Sequence, residues 1–129
     1  MPAKASVAVP AKPATEDDLR ATPQDGRKYE LVDGEIRVSP AGARHEVVSL
    51  KLASRLLAYV TERGAGHAFG SSVGFRLPGG NVRSPDVSFV SHGRFVDETP
   101  PDDFGDLAPD LAVEVLSPSE RTRHVLDKV

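Results

Sequence analysis

Apolar and polar residues alternate most cleanly from Tyr29 to Val38, where Tyr29 and Leu31 are matched by Ile36 and Val38 across Asp33-Gly34. Asp-Gly supplies the positive φ angles of a type I′ turn, so the segment predicts a hairpin with those four apolar residues on one face. Glu30 then stands opposite Arg37 on the other face, a cross-strand ion pair that supports the register. From about Arg44 to Arg63 the period becomes helical, with Val48, Leu52, Leu56, Tyr59 and Val60 as the apolar stripe and Lys51, Arg55 and Glu62 as the wet one. Gly64 is suited to end that helix. Upstream, Thr15 with Asp18 three residues on opens a short helix that Pro23 and Gly26 stop. Downstream, Val73, Phe75 and Leu77 alternate with Gly74 and Arg76, Pro78 to Asn81 turns the chain, and Val82 to Val90 returns as a second strand. Residues 91–109, with prolines and many acids, read as a surface loop of the kind used as a lid or specificity element. Leu111 to Leu116 is a short apolar strand, and Ser117-Pro118-Ser119-Glu120 writes the capped start of another helix.

This order of elements predicts a mixed α/β domain over residues 15–129, preceded by a disordered arm over residues 1–14. A chain of 129 residues has room for one core. It has no stretch approaching the ~20 apolar residues of a membrane helix and no signal-type N-terminus, so the expectation is a cytoplasmic protein without a membrane partner. With no cysteine, thiolate chemistry and zinc-thiolate sites are excluded, and carboxylates become the natural metal ligands. Such ligands favour Mg or Mn. The formal net charge of −3 gives no broad attraction to a polyanion, although a local basic face could supply one.

Two acids stand in unusual contexts. Asp86 follows Pro85 and opens the apolar run Val87 to Val90, while Glu114 lies within Leu111 to Leu116 with no charge beside it. A carboxylate in a strand buried on both faces must be paired, protonated or bound to a cation. One reading is a buried Glu114 satisfied by an arginine or by backbone N–H groups. The other has Asp86 and Glu114 on neighbouring strands, converging on one hard cation. Leu116 stands where a strand lysine would share the Glu114 side. Lys128, ten residues into the last helix, could come level with Glu114 if that helix folds back, or it could be an ordinary solvated lysine. His67, His92 and His124 fit no metal-ligand spacing with one another.

Tyr29-Glu30-Leu31-Val32-Asp33-Gly34-Glu35, His45 at the start of the long helix, Ser84-Pro85-Asp86-Val87-Ser88-Phe89-Val90, and Val113-Glu114-Val115-Leu116-Ser117-Pro118-Ser119 with Lys128 downstream together resemble the Uma-two family. That bacterial family is placed among the restriction-endonuclease-like PD-(D/E)xK nucleases. The resemblance implies a central mixed sheet flanked by helices, with an N-terminal hairpin. It implies a Mg- or Mn-dependent endonuclease acting on nucleic acid, DNA first. Asp86 and Glu114 would be the metal-binding acids, and Lys128 a catalytic lysine moved from the strand to the next helix. Glu35 and His45 match family positions that could support the site, or could be a hairpin surface residue and a helix-start cap. Arg44, Arg76, Arg83 and Arg94 lie near these blocks in sequence and are candidate nucleic-acid contacts. The chain ends soon after Lys128, so the expectation is a domain truncated at the C-terminus that pairs as a homodimer. The alternative is an inactive scaffold or protein-interaction module on the same fold.

Overall fold

The computed structural model describes residues 12–40 and 42–116. The segment carrying Ser117, Lys128 and His124 lies outside them, as do residues 1–11. Of the expected arm, Ala14 is tied down, its N–H donating to the Gly34 carbonyl at 2.8 Å.

Helix α1 (Glu16–Arg20) begins as its sequence dictates: the Thr15 hydroxyl caps the Asp18 N–H and the Asp18 carboxylate caps the Thr15 N–H. Strands β1 (Lys28–Val32) and β2 (Glu35–Ser39) form the expected hairpin, with Tyr29 opposite Val38 and Leu31 opposite Ile36. Asp33 and Gly34 take φ angles of 53° and 76°, the left-handed pair that a type I′ turn requires. Glu30 does stand opposite Arg37. Their ion pair, however, is not formed: Glu30 is buried, and Arg37 turns to Asp33 and Glu35.

Helix α2 (Ala43–Arg63) ends on Gly64, whose φ of 58° is the conformation glycine adopts without penalty. Its inward side takes in Val60 and partly Leu56 but not the whole of the expected stripe. Ser49 and Val60 are buried, whereas Val48, Leu52 and Tyr59 are exposed, so the face turned toward the sheet is rotated from the most apolar one. The helix packs on β3 (Gly66–Phe69), a strand whose Gly-His-Ala-Phe sequence carries no β-branched residue and no clear alternation.

After β3 come β4 (Phe75–Arg76), β5 (Val82–Arg83), β6 (Val87–Ser91) and β7 (Leu111–Val113). Strands β4 and β5 pair as the predicted hairpin. The return strand is not continuous to Val90, however. Ser84-Pro85-Asp86 divides it, so that β5 lies in the sheet β2-β1-β5-β4 and β6 in the sheet β3-β6-β7. Proline cannot donate to a ladder, and the break falls there. All strand pairings are antiparallel, so the expected central mixed sheet appears among the described residues as two antiparallel sheets. A parallel contact is confined to the bridge between Phe75 and Gly105.

One apolar cluster, Leu19, Leu31 and Val82, fills the space between α1 and the first sheet. A second joins the sheets, with Phe75 from β4 against Val90 from β6 and Phe95 from the following loop. Phe69 meets Phe75 and Phe95 edge to face, at centroid distances of 5.8 and 6.1 Å. Phe95 thereby fixes the start of the loop over residues 91–109 to this cluster, and Asp110 beyond the loop accepts from the Ser91 N–H at 2.7 Å. Its residues 100–105 line a recess with Phe69, Ser72 to Phe75 and Phe95, away from Asp86 and Glu114.

A surface network fastens α1 to this loop. Asp103 accepts from Arg20 at 2.6 Å and from Arg76 at 3.2 Å, and Arg76 also holds Glu16. The Arg20 hydrogen bond, ahead of a smaller opposing desolvation, lowers the Asp103 pKa from 3.8 to about 2. A depressed folded-state pKa means that its stabilisation is complete above the ordinary value and disappears as pH falls through the lowered one. Carboxyl NMR should therefore show an Asp103 midpoint near 2. Asp103→Asn should flatten the loss of stability on acidification from about pH 4 to about pH 2.

Candidate metal centre

The division at Pro85 places Asp86 where the chain passes from one sheet to the other. The β6 to β7 register puts Val87 opposite Val113, and continuing it by one residue brings Asp86 level with Glu114. On the other side, β1 pairs with β5 through Leu31 and Val82, and extending that antiparallel register brings Lys28 level with Pro85. Three residues distant in sequence thus meet at one point.

The Lys28 ammonium lies 3.0 Å from Asp86 Oδ1 and 3.2 Å from Glu114 Oε1, donating to both. The Asp86 side chain is 3% exposed, that of Lys28 11% and that of Glu114 19%. The second Asp86 oxygen accepts from the Val115 N–H at 2.7 Å and lies 3.1 Å from His45 Nε2. Burial alone would raise the Asp86 pKa. The Val115 N–H, the Lys28 charge and His45 outweigh it, so the carboxyl is held below the ordinary range. Burial likewise opposes the Lys28 charge but is overcome by Glu114, Asp86 and Glu30, leaving the ammonium harder to deprotonate than usual. The centre is an anionic pair bridged by an internal cation.

Glu30 forms the adjoining layer. Its carboxylate accepts from the buried Ser84 N–H at 2.7 Å and lies 3.9 Å from an Arg83 guanidinium nitrogen. It therefore braces the chain immediately before Pro85 and Asp86.

The sequence candidates now sort by position. Asp86 and Glu114 are brought together, and His45 joins them instead of acting as the helix cap, a position that Gly42 holds. Glu114 reaches the centre from just beyond β7, a strand whose Leu111 and Ala112 are exposed rather than buried on both faces. Glu35 stays on the hairpin surface near Arg37. Lys128 lies outside the described residues, and the lysine observed at the acids is Lys28. Among the arginines, Arg76 is engaged by Glu16 and Asp103, Arg94 by Asp110, and Arg83 approaches Glu30, while Arg44 is exposed beside His45. Lys28 and Glu30 were missed as site residues. The available signal was their spacing of two on a strand, which puts both on the side where β1 meets the Ser84 to Asp86 crossing.

The residues suit a hard divalent cation. Among the described residues no three His, Asp or Glu side chains form a metal-ligand set. Two carboxylates directed at one cation are a donor pair of the kind hard divalent cations take, with water or substrate oxygens in the remaining positions. The Lys28 ammonium marks the convergence point.

Two antiparallel sheets and a long helix form a mixed α/β fold, shared with a "putative nuclease belonging to DUF820" from Anabaena variabilis, whose crystal structure matches with a TM-score of 0.74 at 22% identity. The match covers 91% of this chain and 66% of that one, so this chain spans just under two thirds of its neighbour's length. Residues 16–129 match the Uma2 family, described as "Putative restriction endonuclease", and the chain belongs to that family. No curated protein matches the sequence. No helix among the described residues is long and apolar enough to cross a membrane.

The bracing by Glu30 can be measured apart from any chemistry. Glu30→Ala leaves the buried Ser84 N–H without its carboxylate acceptor and should cost roughly 1–3 kcal/mol in urea unfolding. Glu30→Gln keeps an acceptor oxygen and should cost distinctly less.

Proposed function

We propose that this chain is a metal-dependent nuclease domain that hydrolyses phosphodiester bonds of nucleic acid, DNA being the first candidate. The observation that carries this reading is the convergence of the Asp86 and Glu114 carboxylates on a single cation, the Lys28 ammonium 3.0 and 3.2 Å away, in a family described as "Putative restriction endonuclease". Asp86 and Glu114 would hold Mg²⁺ or Mn²⁺, which when bound supplies Lewis-acid activation of water and of a phosphate oxygen. The protein's part is positional. The Val115 N–H and His45 fix one Asp86 oxygen, leaving the other on the Lys28 ammonium that Glu114 also accepts from. Glu30 holds the backbone just before them. In this reading Lys128 supplies charge to the phosphate, and Arg44, at the α2 end beside His45, is the arginine best placed to meet a nucleic-acid backbone.

A second reading has a specific observation behind it. Lys28 already neutralises much of the carboxylate pair, as it would in a non-catalytic scaffold held together by a buried ionic cluster.

A calorimetric Mn²⁺ titration separates the two. The nuclease reading expects binding by the parent chain, its loss in both Asp86→Asn and Glu114→Gln variants that retain the parent circular dichroism, and Mn²⁺-dependent plasmid cleavage that weakens as salt rises. Absence of binding by the parent, or binding that survives in both variants, would favour the scaffold.

A further inference from the structure

The second sheet leaves Lys28 in an unusual position for a strand residue. Its ammonium bridges two carboxylates that belong to different strand ends, and the side chain is 11% exposed. Two acids that share a cation site repel one another whenever the site is without its metal, and burial makes that repulsion costly. A lysine between them relieves it. The lysine contributes one positive charge against two negative ones, whereas a divalent ion balances the pair fully.

The ammonium and a metal ion compete for this place. The Lys28 nitrogen is at hydrogen-bond distance from Asp86 Oδ1 and Glu114 Oε1. Mg²⁺ requires carboxylate oxygens at about 2.0–2.1 Å, with its other positions filled by water, and an ammonium directed at the same two oxygens opposes that approach by charge and by bulk. Other groups nearby do not compete in the same way. His45 and the Val115 N–H act on the opposite Asp86 oxygen, so they can keep the carboxylate in place while the first oxygen changes partner. Glu30 is a further acid whose charge acts on Lys28.

We infer that Lys28 is the resident counter-ion of the metal centre, holding Asp86 and Glu114 together in the metal-free protein and being displaced from them when a divalent cation binds. This rests on the metal-dependent reading above and adds a positioning residue to it. Metal entry then becomes an exchange of cations, with an affinity set below what the two carboxylates alone would offer. The same lysine keeps the metal-free crossing folded.

The test compares Mn²⁺ titrations of the parent chain and Lys28→Met, together with their urea stabilities without metal. Exchange predicts that Lys28→Met binds Mn²⁺ more tightly, by about 5- to 100-fold, the usual span of coupling between two ligands. It also predicts a less stable metal-free protein whose stability recovers as Mn²⁺ is added. Equal or weaker Mn²⁺ affinity in a folded Lys28→Met would overturn the inference while leaving the carboxylate metal site standing. Failure of both proteins to bind would overturn the metal reading itself. A second measurement needs no variant: reductive methylation of the parent chain, read by mass spectrometry, should find Lys28 protected without metal and labelled at saturating Mn²⁺. Protection unchanged at saturation would mean that the ammonium stays where it is, and the exchange would be refuted even if Lys28→Met did not fold.

Discussion

The Asp86 carboxylate is the contact on which the arrangement turns. It immediately precedes β6, binds β1 through Lys28, binds α2 through His45 and accepts from the backbone just after β7 at Val115. One buried side chain therefore ties together segments from both sheets and the long helix. A polar group 3% exposed is tolerated there because both its oxygens have partners, and a charge-assisted set of this kind is stronger than neutral hydrogen bonds. The apolar clusters supply bulk cohesion through contacts such as Phe75 with Val90, but they do not specify where the two sheets cross. The carboxylate does, because its partners are directional.

The same interaction makes structure and chemistry hard to separate. Replacing Asp86 removes a candidate metal ligand and also leaves Lys28, His45 and the Val115 N–H without a shared acceptor. Loss of function in such a variant carries meaning only beside evidence that the crossing survives. Glu114 and Lys28 are less entangled, each lying nearer the surface and approaching Asp86 from one side.

Features set by adjacent residues are legible in the sequence, and those that depend on distant partners are not. The Asp33-Gly34 hairpin, the Thr15 capping box and the Gly64 terminus each follow from a few adjacent residues whose backbone preferences leave little choice. Asp86 and Glu114 were visible as acids in apolar surroundings, and their adjacency followed once their strands were taken as neighbours. Lys28 was not visible, since it lies 58 positions from Asp86 and looks like any strand-end lysine. Glu30 was assigned to Arg37 because alternation predicts only which face a residue occupies. It cannot show that β1 is an inner strand, between β2 and β5, whose second face is covered near Ser84. The α2 stripe was displaced for a related reason: the helix side facing β3 and β6 is chosen by the sheet it meets, and a small buried Ser49 lets it approach.

Several arginines are matched by acids of the same chain, and this bears on how a polyanion could approach. Arg76 and Arg94 are taken up by Glu16, Asp103 and Asp110, and Arg83 leans toward Glu30, so three of the four arginines that looked available in sequence are committed to acids of the same chain. With a net charge of −3, long-range attraction is weak. Under the nuclease reading, affinity must then come from short-range contacts at the centre, where a divalent ion would change the local charge from anionic to balanced. Exposed Arg44 precedes His45, which is bonded to Asp86, so the cationic approach and the carboxylate pair lie at the same end of α2. Substrate and metal would on this account depend on each other, because the site repels a phosphate until its own acids have been neutralised.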